Sequence, residues 1–238
     1  MTDEYKTLAS RMVEGLKEDP NIRAVLVYGS VAMGTVSEGS DIDLLLIVED
    51  IPEDVDIFGV KRTSIEGVPV DLAYKTNEYV EFQIDYEAGC WYASSIMLNS
   101  EILYDPDGIA ESFRKKILEM PDERKQFVLD CLMEDARTYD YKIRQCIELG
   151  DLRGAVYLMR LVCESFVQMM FILNNTRPSS EKGMIRDFLA LESVPEGFLA
   201  LYDFLEGFDE IDDERVSAMV DAHRGLIREV ERHWKPKK

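Results

Sequence analysis

The chain has 238 residues, of which 46% are hydrophobic and 31% are charged, and its formal net charge is −20 at pH 7. A chain of this length and composition can bury one large core or two small ones. The strong negative charge argues against nucleic acid as a partner, because phosphate contacts need clustered Lys and Arg.

The sequence predicts neither a membrane-spanning helix nor a signal peptide. No apolar run approaches the length of a membrane span, and residues 1–19 are acidic and amphipathic rather than signal-like. We therefore expect a cytoplasmic protein with no membrane partner. The four cysteines are far apart in a sequence with only two histidines, which favours buried reduced thiols over a zinc site.

The first part of the chain alternates between helical and strand patterns. Apolar residues at helical spacing predict an amphipathic first helix, and short apolar runs bounded by turn residues predict strands. A hairpin is expected about Glu66-Gly67. The predicted elements are a helix at Glu4–Glu18, strands at Ile22–Tyr28, Asp41–Val48, Val60–Ile65, Val68–Tyr74 and Glu101–Tyr104, a short helical turn or loop at Ser30–Gly34, and a helix at Glu78–Leu98 broken near Gly89.

The turn at residues 105–108, Asp-Pro-Asp-Gly, is the predicted domain boundary, because beyond it the apolar period becomes helical throughout. We expect an α+β protein, with a mixed sheet and flanking helices in residues 1–107 and a helical bundle in residues 108–238. The predicted helices of the second part are Ile109–Glu119, Glu123–Leu149, Leu152–Asn174, Glu181–Leu191, Gly197–Phe204 and Asp213–Trp234.

The most informative stretch is residues 28–47, YGSVAMGTVSEGSDIDLLLI. Side chains in a strand alternate faces, so Asp41 and Asp43 point the same way while Ile42 points into the core. Two carboxylates at this spacing suit Mg²⁺, which takes one or two carboxylates and fills its other positions with water and substrate phosphates.

Gly29 and Ser30 provide the other half of such a site. Gly29 allows the backbone to approach a phosphate closely, and Ser30, between strand and turn, is a good N-cap beside N–H groups that can bind an anion. A third carboxylate, Asp71, lies within the apolar run of residues 68–74, where a charge is rare unless it is paired or ligates a metal. Together these residues point to phosphoryl or nucleotidyl transfer.

This combination resembles the nucleotidyltransferase superfamily related to DNA polymerase beta. The residues that carry the resemblance are Gly29-Ser30, the ten residues that follow, Asp41-Ile42-Asp43, and the lone acid Asp71 on a later strand. The downstream chain is similar in order and length to kanamycin and related aminoglycoside nucleotidyltransferases.

The resemblance implies roles for the helical half. Lys142 matches a Lys that contacts the nucleotide phosphates in the resembled family. The family has a Glu, the general base, four residues before that Lys, but this chain has Thr138 there. Glu134, Asp140 and Asp71 are the candidate replacements for that base.

The expected reaction is transfer of a nucleoside monophosphate, AMP from ATP or the equivalent from another NTP, to a hydroxyl of a small acceptor. Asp41 and Asp43 bind Mg²⁺, and Asp71 helps hold a second ion or accepts the hydroxyl proton. Residues 1–107 contain 22 Asp and Glu against 7 Lys and Arg. This excess favours a cationic acceptor and requires Mg²⁺, with basic groups of the helical half, to neutralise the triphosphate.

Two alternatives remain open at the sequence level. One is a regulator that adds AMP to a protein, as minimal nucleotidyltransferases of antitoxin type do, since these share the same motif spacing. The other is a catalytically silent nucleotide-binding scaffold, which the Thr at position 138 favours. The resemblance also implies a homodimer with a site built between two subunits.

Overall fold

The structure, a computed structural model, describes residues 1–195, 197–206 and 212–233. The chain forms two compact units. The first comprises Met1–Met120 with Ser179–Glu181, and the second comprises Pro121–Pro178 with Lys182–Lys238.

A five-stranded mixed sheet forms the centre of the first unit. Its strands are β1 (Ile22–Tyr28), β2 (Ile42–Val48), β3 (Val60–Ile65), β4 (Val68–Thr76) and β5 (Glu101–Tyr104), in the spatial order β3-β4-β2-β1-β5. β2 and β4 are parallel, and the other neighbouring pairs are antiparallel. The sheet and its flanking helices confirm the predicted α+β class.

The predicted hairpin about Glu66-Gly67 is present between β3 and β4. Ile65 pairs with Val68 across a two-residue loop, and both loop residues have positive φ, 51° for Glu66 and 85° for Gly67. Positive φ at both positions is the requirement of the type I′ turn, whose twist matches that of the flanking strands. This turn sets the register of the hairpin.

Helices cover both faces of the sheet. The five helices of this unit are α1 (Thr2–Leu16), α2 (Gly29–Met33), α3 (Asn77–Tyr86), α4 (Tyr92–Asn99) and α5 (Ile109–Leu118). Leu8 and Val13 of α1 join the core on one face, while Phe113 and Ile117 of α5 join the core on the other. Because α5 packs on the sheet, the first unit extends to Met120 instead of ending at the predicted boundary, Asp107.

The described part of the second unit is helical. Its helices are α6 (Asp122–Glu148), α7 (Leu152–Leu173), α8 (Met184–Leu189), α9 (Phe198–Glu206) and α10 (Asp213–His233). Asp151 caps α7 by accepting a hydrogen bond from the Gly154 N–H. The predicted end of the last helix, Trp234, lies outside the described residues.

α8 is shorter than the predicted helix Glu181–Leu191. Residues 179–181 belong to the first unit, residues 181–183 form a turn, and α8 begins at Met184. An aromatic cluster made by three helices packs in this region. Its members include Phe166 of α7, Phe188 of α8 and Phe198 of α9, with the Phe188 and Phe198 ring centroids 4.2 Å apart.

The expectation that no apolar run approaches the length of a membrane span is wrong for α7. Its 22 residues are long and apolar enough to cross a membrane. Most of its apolar stretch is buried inside the helical unit, which is also the behaviour of a core helix. The helix is therefore weak evidence for a membrane span.

Candidate active site

Gly29 and Asp43 make a close contact at the end of β1. Gly29 has φ +67°, and a Cβ added to it would lie 2.3 Å from Oδ2 of Asp43. The carboxylate therefore occupies the space that any other residue at position 29 would need. A glycine is required at this position both by the backbone conformation and by the position of this acid.

Ser30 lies in the second position of α2, beside Gly29. Its expected role as the N-cap is wrong, because the helix begins at Gly29 and Tyr28 occupies the N-cap position without a side-chain hydrogen bond. Ser30 Oγ is buried and has no hydrogen-bond partner among the described residues. A buried hydroxyl without a partner is costly, so this oxygen suits a phosphate oxygen or a water as its partner.

The three predicted acids differ in their positions relative to the sheet. Asp41 is exposed just before β2, Ile42 is fully buried, and Asp43 pairs with Tyr28 across β1 and β2 and with Asp71 across β2 and β4. Burial raises the pKa of the Tyr28 phenol, and the negative charges of Asp43, Asp71 and Asp41 raise it further. The structure thus places Asp43 between Tyr28 and Asp71 in the sheet, and the charge of Asp41 also acts on the phenol. The sequence motif begins at Tyr28 but does not by itself predict a role for this residue.

Asp71 has a basic neighbour that sequence reasoning missed. Arg62 pairs with Asp71 in the β3–β4 ladder, and its Nε lies 3.6 Å from Asp71 Oδ2. Arg62 Nη1 also lies 3.2 Å from Oδ2 of Asp56. The hairpin turn at 66–67 was itself predicted, so counting outward from it would have placed Arg62 opposite Asp71.

The side chains near Gly29 provide the kind of oxygen donors that Mg²⁺ prefers. Within the described ranges, no three His, Cys, Asp or Glu side chains converge as a group that could hold a metal. Asp41 and Asp43 provide hard carboxylate oxygens, and Mg²⁺ needs only one or two of these when substrate phosphates and waters complete its shell. The unpartnered Ser30 Oγ leaves a contact for a phosphate oxygen beside them. The residues therefore fit the metal.

A small cavity of about 40 Å³ opens beside Gly29 and Tyr28. Its wall includes Tyr92, Ser95 and Asn99 of α4, and Asn99 Nδ2 donates to the Ser179 carbonyl at 3.3 Å. The remaining lining residues are Met33, Ile96, Ser179 and Ser180. No local sequence signal identifies this cavity, because residues 179–180 are distant in sequence from α4.

The site residues predicted for the helical half lie on α6 in the second unit. Glu134 is exposed and pairs with Arg137 at 3.3 Å, and Lys142 Nζ lies 5.1 Å from the centroid of the Tyr139 ring. Thr138 is exposed. Each of these side chains is accessible, and their roles toward a nucleotide stay predictions.

Asp140, the third candidate base, is buried within the second unit. It forms an ion pair with Arg144, four residues further along α6, and Arg224 Nε of α10 lies 3.6 Å from Oδ1. His223 is also buried, and neither of its ring nitrogens has a hydrogen-bond partner among the described residues. Burial lowers the pKa of His223, while the charge of Asp140 raises it and that of Arg224 lowers it.

Comparisons with known proteins agree with this geometry. Residues 11–107 match the family model described as polymerase beta, nucleotidyltransferase. This match lies within the first unit and includes all five strands of its sheet. Residues 92–181 match a domain of unknown function (DUF4037), and no curated protein matches the chain.

One solved structure extends the likeness beyond the nucleotidyltransferase domain. The chain is similar to a nucleotidyltransferase-like protein from Exiguobacterium sibiricum, with a TM-score of 0.63 and 12% sequence identity. The match covers 94% of this chain and 74% of that chain. At this identity the likeness shows a shared fold, which includes most of the helical part of the chain.

Proposed function

We propose that the protein is a Mg²⁺-dependent nucleotidyltransferase that moves a nucleoside monophosphate, AMP from ATP, to a hydroxyl of a small acceptor. The observation that carries this proposal is the proximity of Gly29, at the start of α2, to Asp43, which pairs with Asp71 in the sheet. The matched nucleotidyltransferase domain covers all of these residues.

The residues of the first unit have separate roles in this reaction. Asp41 and Asp43 would hold the metal, and the Ser30 hydroxyl would bind a phosphate oxygen. Mg²⁺, when bound, neutralises charge that develops on the triphosphate. Positioning and electrostatics carry most of phosphoryl transfer, so little covalent chemistry is required of the side chains.

The transfer step needs an acceptor for one proton. The acceptor hydroxyl oxygen forms a bond to the α-phosphorus, the bond from that phosphorus to pyrophosphate breaks, and the hydroxyl proton goes to a carboxylate. Asp71 is the favoured base, because it lies beside Asp43 in the sheet while position 138 carries Thr. Glu134 and Asp140 of α6 are the other candidate bases; Glu134 is exposed, whereas Asp140 is buried and paired with Arg144.

A cationic acceptor, such as an aminoglycoside-like molecule, is favoured by charge. Residues 1–107 have 22 acidic and 7 basic side chains, and most of these cations are already in ion pairs. The resulting negative potential attracts cations and repels free nucleotides. The resemblance of the helical order to aminoglycoside nucleotidyltransferases supports the same class of acceptor.

A cytoplasmic homodimer is part of this proposal, since the resembled enzymes build their site between two subunits. Light scattering at micromolar concentration tests the assembly. Twice the mass of one chain is the expected result, and a stable monomer would contradict it.

The activity is tested by incubating the protein with α-labelled ATP, Mg²⁺, and a panel of aminoglycosides, lincosamides and cell extract. Label on a small molecule is the expected result, and it should disappear in Asp43→Asn. Label on a protein would instead identify a protein-AMPylating regulator. The absence of labelled product in every arm, with ATP still bound, would identify a silent scaffold.

A further inference from the structure

The seven basic side chains of residues 1–107, all of which the structure describes, differ in their relation to the acidic site. Six of them contact groups outside it. Lys6 pairs with Glu101, Arg11 with Glu66, Lys17 with Glu14, Arg23 with Glu49 and Asp107, and Lys61 with Asp54, while Lys75 donates to the Phe58 carbonyl. Arg62 alone among the seven forms an ion pair with a carboxylate of the site, Asp71.

Arg62 contacts two carboxylates, and the two contacts differ in strength. Its Nη1 donates to Asp56 Oδ2 at 3.2 Å, which is within hydrogen-bond range. Its Nε lies 3.6 Å from Asp71 Oδ2, which is beyond that range although close enough for attraction between the charges. The contact with Asp71 is therefore the weaker of the two.

Asp56 is a fixed partner for this arginine. Its Oδ1 accepts hydrogen bonds from the N–H groups of Phe58 and Val60, both at 2.9 Å. These backbone bonds hold the pKa of Asp56 below its ordinary value and fix the carboxylate in place. Arg62 can thus keep its contact with Asp56 after it leaves Asp71.

We infer that Arg62 is a positioning residue that serves as an internal counter-ion to Asp71 and leaves it when a divalent cation binds at the site. This inference rests on the proposed function, because it uses the same cation, held by Asp41 and Asp43 beside Asp71. Without the cation, the guanidinium offsets part of the repulsion among Asp41, Asp43 and Asp71. With the cation, that offset is no longer needed, and Arg62 stays with Asp56.

The inference predicts competition between Arg62 and Mg²⁺. Removing Arg62 should make Mg²⁺ bind more tightly, by about two- to fivefold, since exposed ion pairs of this kind contribute only small free energies. It should also lower the melting temperature of the metal-free protein, and saturating Mg²⁺ should restore part of that loss.

The test uses Mg²⁺ alone, without nucleotide, and measures its affinity by calorimetry and by the shift in melting temperature. The variants are Arg62→Ala, the conservative Arg62→Lys, and the matched control Lys61→Ala. Lys61 is the preceding residue of β3 and pairs with Asp54, so its removal changes the net charge equally without touching Asp71. Tighter binding is expected for Arg62→Ala only, with Arg62→Lys close to wild type.

A double variant separates the counter-ion role from a general effect on folding. In an Asp71→Asn background, Arg62→Ala should leave Mg²⁺ affinity unchanged. If the wild type binds Mg²⁺ and the single variant Arg62→Ala binds it no more tightly, the inference is wrong. The proposed function is not affected by that result. If Mg²⁺ binds neither wild type nor any variant, even with ATP present, the proposed function itself fails, and the inference fails with it.

Discussion

A Cβ at position 29 and Oδ2 of Asp43 would be 2.3 Å apart, which is closer than real Cβ contacts allow. Gly29→Ala should therefore displace the Asp43 carboxylate and reduce nucleotidyl transfer by about 100-fold or more, since a metal ligand contributes several kcal/mol. The initial rate of labelled-product formation measures this effect.

Gly34→Ala is the matched control for that variant. Gly34 has a similar positive φ, +72°, but a Cβ there would meet nothing within 4 Å. Both variants should lose about 1 kcal/mol of stability from the left-handed backbone conformation. Only Gly29→Ala should lose activity beyond what this destabilisation explains, and equal activity of the two variants would contradict the role of the Gly29–Asp43 contact.

Asp41→Asn and Asp43→Asn should each reduce transfer by about 100-fold or more while the fold is retained, because each removes a metal ligand. The melting temperature of the metal-free protein should stay the same or rise, because each change also removes the repulsion between the carboxylates of Asp41 and Asp43. Glu38→Gln, an exposed change in the loop before β2, is the control and should leave both properties unchanged. Near-normal transfer by either Asn variant in Mg²⁺ would show that the metal site is elsewhere.

ATP should bind poorly without a divalent cation, because the seven basic side chains of residues 1–107 do not offset its phosphate charges and the surrounding carboxylates. Lys142→Ala should weaken Mg²⁺-ATP binding by roughly 1.5–3 kcal/mol, the value of a charge-assisted contact. Calorimetry with and without Mg²⁺ measures both effects.

The control for Lys142 is Lys17→Ala, since Lys17 of α1 pairs with Glu14. That variant should bind Mg²⁺-ATP like the wild type. Tight ATP binding in the absence of metal would refute the electrostatic argument. An unchanged affinity in Lys142→Ala would show that α6 does not contribute this phosphate contact.

The stability of the protein should fall as the pH decreases below about 6.5, the ordinary pKa of histidine. Burial lowers the pKa of His223 in the folded state, so between the folded and unfolded pKa values the unfolded chain binds more protons. The contribution of neutral His223 to the free energy of unfolding is therefore complete above the pKa of the unfolded state. It is lost as the pH falls toward the pKa of the folded state, with a slope of at most about 1.4 kcal/mol per pH unit. Urea unfolding at several pH values between 5.5 and 7.5 measures the slope.

His223→Gln should remove the part of the pH dependence of the unfolding free energy that comes from His223. Gln168→Met is the control, because Gln168 is also buried in the helical unit but does not titrate. The control variant should change the stability at every pH and keep the wild-type slope. If His223→Gln keeps the slope as well, another group titrates with folding in this range.

Local sequence patterns were sufficient for most elements and for part of the site. Strands β1, β3 and β5 have the predicted bounds, because each is a short apolar or alternating run closed by turn residues. The pattern of residues 28–47 also predicted the end of β1 and the strand that contains Asp43, while the roles of Gly29, Ser30, Asp41 and Asp43 stay predictions. Even the Arg62–Asp71 pair was accessible from sequence, since the two-residue turn at 66–67 sets the hairpin register.

Relationships between distant segments depended on the tertiary structure. The parallel pairing of β2 with β4 places Asp71 beside Asp43, although the hairpin strand β3 lies between them in sequence. The packing of α5 on the sheet extends the first unit to Met120, and the burial of His223 beside Asp140 needs α10 to pack against other helices. Periodicity reports which face of an element is apolar, but the partner of that face is chosen by packing over the whole chain.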